Sequence, residues 1–227
     1  MAEAINTERF SANICSHCGA HTAGAHFCST CGRIQPVAEG SDHFSFFSLP
    51  RKLRIDEPEL EKSFYALSRQ FHPDYFMSAS ESERLASIER SSMLNDAYRT
   101  LRDRIARVTY LLRLEGYKEA EKKAPPDLLE EVFELNMQIE ELKAAKKMGD
   151  ADEVAEARSA LEDALGSLGE TLCGIDERLL RLFDDWDSTV VPGVSPDDKK
   201  LLLDRMSELL SHRSYIRHLV SGIQEEL

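Results

Sequence analysis

No stretch of this sequence is apolar for the roughly 20 residues that a membrane-crossing helix needs, so an integral membrane protein is not expected. Basic residues are in short supply: 28 Lys and Arg stand against 41 Asp and Glu, a net charge of -13. That balance disfavours a polyphosphate backbone as partner, and nucleic acid is not expected. Nor does the composition, with 42% hydrophobic residues, fit a disordered chain. The first fourteen residues hold a single arginine, Arg9, beside Glu3 and Glu8, which resembles neither a secretory leader nor an Arg-rich transit peptide. A cytoplasmic location with reduced thiols is the expectation, so the five cysteines do not read as a disulfide framework. No acid, base and nucleophile converge in a recognisable pattern, and an enzyme is not expected.

With 42% hydrophobic and 30% charged residues, the 227-residue chain reads as a soluble, helix-rich protein of one large or two small domains. Its charge is uneven. Residues 42 to 115 carry twelve basic and twelve acidic side chains, whereas residues 116 to 227 carry fourteen and twenty-six. The acidity of the second half is ordinary for solvated helix faces.

Four of the five cysteines fall in the first 31 residues, as Cys15-x-x-Cys18 and Cys28-x-x-Cys31, each pair followed by glycine, Gly19 and Gly32. Two thiolates two residues apart can bind one ion, and the glycine lets the backbone turn so that its amides approach the sulfurs. Two such knuckles complete a tetrahedral Cys₄ site. Structural zinc is the leading reading, with rubredoxin-like iron the rival, because S₄ geometry suits both. His17, His21 and His26 lie close by and are expected to be solvent-exposed, since four thiolates fill the shell. About 40 residues could not build a core without such a staple.

Pro36 to Ser41 reads as a linker, and Asp42 caps a short apolar segment, His43 to Leu49, with three phenylalanines. Leu60, Phe64, Leu67 and Phe71 then recur at helical spacing, with Asp56 and Glu59 as a capping box and Pro58 in the first turn. A second helix begins near Ser82 with Leu85, Ile88, Leu94, Tyr98 and Leu101 as its apolar stripe. A bend is expected at Arg102-Asp103, after which Ile105, Val108 and Leu112 continue the stripe to Gly116. Lys118 to Pro126, closed by Pro125-Pro126, reads as a connection.

Three long helical patterns follow. Leu128, Val132, Leu135, Ile139 and Leu142 mark the first, ending near Gly149-Asp150, and Val154 to Trp186 the second. Val191-Pro192-Gly193 breaks the second, and Ser195-Pro196 opens the third, with Leu202, Met206, Leu209, Ile216, Leu219 and Ile223 on its inner face. Short connections make these an antiparallel bundle. Gly166, Gly169 and Gly174 predict a bend in the middle helix, and Cys173 reads as a small core residue. The fold class is all-α: a helical hairpin and a three-helix bundle, preceded by the Cys₄ knuckle, divided as 1–40, 41–117 and 118–227.

Between the first two long helices lies Phe71-His72-Pro73-Asp74. Pro73 fixes its own φ and pushes His72 out of helical geometry, so the loop is stiff and holds the Asp74 carboxylate outward. At these residues the chain resembles the J-domain co-chaperones, which stimulate ATP hydrolysis by seventy-kilodalton heat-shock chaperones through a His-Pro-Asp loop. The resemblance implies chaperone contact by His72, Pro73 and Asp74, with Lys62 and Arg69 on the preceding helix. That helix also carries Glu57, Glu59 and Glu61, so its basic character is modest.

Three further stretches narrow the resemblance: Phe71 to Phe76, Leu94 to Arg102, and Arg107 to Tyr117. With the acidic bundle, they are similar to the HscB-type co-chaperones of iron–sulfur cluster assembly. Membership would imply an HscA-like chaperone and an IscU-type cluster scaffold as partners. The scaffold would be held by a hydrophobic patch matching Leu129, Phe133 and Tyr215 here. Leu129 and Phe133 are four apart and one residue off the core stripe, where a side chain is either shoulder or core. A homodimer stays open, as do a general protein-folding J-protein and a metal- or electron-handling protein centred on the Cys₄ site.

Overall fold

The computed structural model describes residues 14–15, 17–22, 24–37, 40–117, 128–190 and 195–227. Among these are seven α-helices, one 3-10 turn and two isolated β-bridges. The all-α class is as expected, and both bridges belong to the cysteine segment. The chain forms two compact units. One holds residues up to Arg51 with Ile55–Asp103, the other Lys52–Arg54 with Arg104–Leu227.

In the first unit, α1 (His43–Phe46) is started by a full capping box: Ser45 N–H donates to Asp42 Oδ1 and Asp42 N–H to Ser45 Oγ, both at 2.8 Å. The box makes a four-residue helix viable, and that helix buries Phe44 and Phe46. The next helix, α2 (Glu57–Phe71), has half of its expected box. Asp56 accepts the Glu59 amide at 3.1 Å, while the Glu59 carboxylate meets Lys62 at 3.3 Å. α3 (Glu81–Arg102) is capped by Ser80 and packs against both α1 and α2. Phe64 and Tyr98 stack between α2 and α3, centroids 4.1 Å apart.

The stripe expected on α3 is wrong at its start. Leu85 and Ile88 are exposed, and the inward residues are Ser87, Arg90, Leu94, Ala97 and Leu101. The reason is local. The first half of α3 faces a helix end and a loop, whose carbonyls need donors rather than apolar cover.

In the second unit, α4 (Arg104–Leu114) starts after Asp103, where the expected bend is a full break between two helices, and is followed by Gly116, whose φ of 85° needs glycine. It packs against α7, burying Val108, Leu111 and Leu112. The bundle is α5 (Leu129–Met148), α6 (Ala151–Thr189) and α7 (Pro196–Glu226). Asp150 and Ser195 cap α6 and α7. Leu135, Leu142, Leu161, Leu168, Ile175, Ile216 and Ile223 form its core. Residues 52–54 lie on α6: Asp187 accepts the Leu53 and Arg54 amides at 2.6 and 2.9 Å, and Arg54 pairs with Asp184 at 2.8 Å.

The middle helix stays helical through Gly166, Gly169 and Gly174, because a 39-residue helix packed against both partners outweighs three local penalties. One expectation fails here. Cys173 is exposed, pointing off the stripe that buries Leu168 and Ile175. The Lys118–Pro126 connection and the Val191-Pro192-Gly193 break lie outside the described residues, as do residues 38 and 39 of the Pro36–Ser41 linker. No helix among the described residues is long and apolar enough to cross a membrane.

Candidate functional site

The chain leaves helical geometry at His72 (φ -58°, ψ 124°), and Pro73–Phe76 close into a 3-10 turn. The residue before a proline is pushed toward extended backbone, and Pro73 has no N–H to continue α2. The turn is pinned from within. Tyr75 N–H donates to the His72 carbonyl at 3.0 Å, and Asp74 N–H to His72 Nδ1 at 3.4 Å. His72 therefore serves as the turn's N-cap. The Asp74 carboxylate, 3.5 Å from that nitrogen, is 77% exposed. Tyr75 and Met77 beside it are also exposed. Lys62 and Arg69 stand in solvent on α2, with Lys62 partly neutralised by Glu59.

Sequence reasoning missed what lies beneath this turn. Phe71, last residue of α2, is fully buried, and its carbonyl accepts from Ser87 Oγ at 2.6 Å and Ser91 Oγ at 3.1 Å. The signal was two serines four apart on the inner face of a helix otherwise rich in charge.

The cysteine segment consists of two similar turns. Gly19 N–H donates to the Cys15 carbonyl at 2.9 Å and Gly32 N–H to that of Cys28 at 2.8 Å, each glycine at φ 72°. The bridges Ile14↔His21 and Phe27↔Ile34 close the two turns. The four sulfurs all lie within 4.8 Å of one another, with Cys15–Cys31 at 3.7 Å and Cys18–Cys28 at 3.6 Å. A tetrahedral ion with metal–sulfur bonds of about 2.3 Å sets its sulfurs about 3.8 Å apart, so the four residues fit one metal ion.

The electrostatics agree. Backbone amides of Cys18 and His17 aimed at the Cys15 sulfur bring its thiol down to about 6. The amides of Cys31 and Thr30 lower Cys28 likewise. At Cys18 the Ala20 amide favours the thiolate, but desolvation and the neighbouring sulfurs prevail and push the thiol up to about 12. Two anions are thus prepared and the next two resisted, a conflict that a cation resolves. Gln35 Nε2 donates to Cys15 Sγ at 3.6 Å from a buried position.

The knuckle packs on the hairpin of its own unit. His26, expected in solvent, is half-buried: Nε2–H donates to the Phe46 carbonyl at 2.8 Å, and its ring lies against Phe46 and Phe71. Burial lowers its pKa below the ordinary histidine value. Phe27 stacks on Phe71 at 5.1 Å, Arg33 meets Glu83 at 3.5 Å, and buried Arg90 donates to the Gln35 carbonyl. Arg90 had no place in an apolar stripe. Its partner lies 55 residues upstream, a loop carbonyl no periodicity reveals.

On α5, Leu129 is 56% and Phe133 67% exposed, while Leu128, Leu135 and Leu142 face the core. The helix is apolar on two faces. Met137, one turn beyond Phe133, is also exposed and lines a shallow groove with Phe133, Asn136 and Ala144. Tyr215 on α7 is partly buried against the bundle core. The structure thus leaves two of the three expected patch residues open and holds the third closer to the core.

No family model matches the chain. Among curated proteins, it is 33% identical over 151 residues to the iron-sulfur cluster co-chaperone protein HscB of Mus musculus, a match covering 63% of this chain and 64% of that protein. It is 36% identical over 139 residues to a co-chaperone protein HscB homolog of Burkholderia thailandensis, covering 58% of this chain and 79% of that one. For an Arabidopsis thaliana HscB homolog the figures are 36% over 129 residues, 56% and 51%. The chain thus spans between half and four fifths of these relatives. Among solved structures, human co-chaperone HscB superposes with a TM-score of 0.59 at 23% identity, over 93% of this chain and 97% of that one. HscB from Vibrio cholerae gives 0.56 at 25% identity, over 82% and 96%.

Proposed function

From a chain that belongs to the HscB family of iron–sulfur cluster co-chaperones, we infer a two-ended adaptor with no active site of its own. One end is the bundle, which holds an IscU-type cluster scaffold through Leu129 and Phe133 on α5, with Tyr215 on α7 bordering the patch. The other is the His-Pro-Asp turn, which meets an HscA-like heat-shock chaperone and stimulates its ATPase. The functional division is 1–40 for the metal knuckle, 41–117 for the J-domain and 118–227 for the scaffold-binding bundle. The Cys15, Cys18, Cys28 and Cys31 site holds structural zinc, in a reducing compartment such as the cytoplasm.

The observation that carries this reading is an exposed carboxylate on a turn fixed by its own backbone. Asp74 reaches a basic group on the chaperone without first having to be ordered, so little of the contact energy is lost to entropy. His72 and Pro73 shape the turn, and Lys62 and Arg69 supply the basic flank. Stimulation requires only that this end binds one nucleotide state of the chaperone better than the other. Asp74→Asn preserves the turn and removes the charge. It should abolish ATPase stimulation of an HscA-type chaperone while leaving scaffold capture by the same protein unchanged. Normal stimulation by that variant would refute the assignment.

A further inference from the structure

Phe71, the residue before the exposed tripeptide, is held twice. Its ring has no solvent exposure. Phe27 lies nearly parallel to it at 19°, His26 meets it edge-on at 5.3 Å, and Phe46 closes another side at 6.2 Å. His26 and Phe27 directly precede Cys28, and the Phe27↔Ile34 bridge ties them into the second cysteine turn. The backbone is gripped as firmly. The amide four residues on, that of Tyr75, is used by the His72 carbonyl, so the Phe71 oxygen has lost its helical donor. Ser87 and Ser91, one turn apart on α3, replace it. Serine inside a helix competes with the backbone and is a poor choice unless its hydroxyl has such a task.

We propose that Phe71 is the anchor of the chaperone-contacting turn. The cysteine segment grips it through the ring, and Ser87 and Ser91 grip it through the carbonyl as positioning residues for Asp74. Its consequence at the chaperone rests on the adaptor reading; the anchoring itself does not. His72 follows Phe71 directly, so any shift of the anchor passes into the turn with no intervening segment to absorb it. An ion shared by four sulfurs ties Cys28 to Cys15 and Cys18, and so fixes the wall that His26 and Phe27 make. Metal occupancy and loop geometry are coupled through this one residue.

The test uses the full chain loaded with Zn(II), with amide hydrogen exchange read at His72 and at residues 74–76, Pro73 having no amide hydrogen. Because both hydroxyls serve one oxygen, Ser87→Ala and Ser91→Ala alone should change little. Together they leave a buried acceptor bare and should speed exchange by about tenfold or more. Phe27→Ala, which leaves both serines in place, should loosen the same residues, as should removal of zinc by a chelator. In the ATPase assay, the double serine variant should need several-fold more protein for half-maximal stimulation, with the maximum at saturation unchanged. Strictly additive serine effects, or turn exchange unaltered in the double variant, would overturn the anchor. A loosened turn with an unaltered half-maximal concentration would overturn the positioning role. Asp74→Asn is run alongside: if it still stimulates, the adaptor reading and the positioning role fall together, while the exchange data still decide the anchor.

Discussion

Asp42 shows how much one residue can organise. It caps α1, pairs with Arg51 at 2.7 Å, and so places Phe46 where its carbonyl and ring receive His26. Desolvation raises its carboxyl pKa, but the Ser45 amide and Arg51 outweigh that, and the net shift is below the ordinary 3.8. A carboxylate whose folded pKa is depressed contributes stability that is complete above its unfolded value. That contribution is lost as pH falls through the folded one. Asp42→Asn keeps a capping side chain and loses the charge. It should be less stable than the parent at neutral pH, with the difference closing below about pH 3.8, as urea unfolding across a pH series would show.

At the scale of elements, α5 and α6 separate exposure from apolarity. Leu129 and Phe133 make few core contacts, so their replacement by alanine should move stability by no more than about 0.5 kcal/mol. Scaffold affinity should nonetheless fall on the order of tenfold or more, as for buried anchors of an interface. Tyr215→Ala should cost about 1–3 kcal/mol, because its ring packs against the core. Denaturation and scaffold titration on the same three variants check both halves. In α6, a Cβ added at Gly166, Gly169 or Gly174 meets nothing within 4 Å. Alanine at each should stabilise by about 0.5–1 kcal/mol, measurable as a higher urea midpoint with unchanged slope.

For the whole molecule, the metal is the variable with the widest reach. The cysteine segment has two isolated bridges and little core of its own, so chelation should unfold it and loosen its contacts with α1 and α3. The bundle, a separate unit with its own core, should keep its helical signal and its cooperative melt. Metal analysis should return one zinc per chain in a colourless protein. Iron, with a visible spectrum, would reassign the site.

The sequence alone determined the helices, the caps at Asp42, Asp56 and Ser195, the cysteine cluster and the exposed tripeptide. Each of these is encoded by residues within a few positions of one another: proline, glycine, capping side chains and apolar spacing act locally. The extended turn at His72 and the break at Asp103 were legible for that reason. The tertiary structure decided the rest. It made Leu85 and Ile88 surface residues and took Ser87 and Arg90 inside, because a helix end and a loop carbonyl from elsewhere in the chain needed donors there. It drew His26 from solvent into an aromatic wall, and it kept α6 whole across three glycines. Unpaired polar groups find their partners in space, and periodicity along a chain carries no record of which distant atom will be waiting.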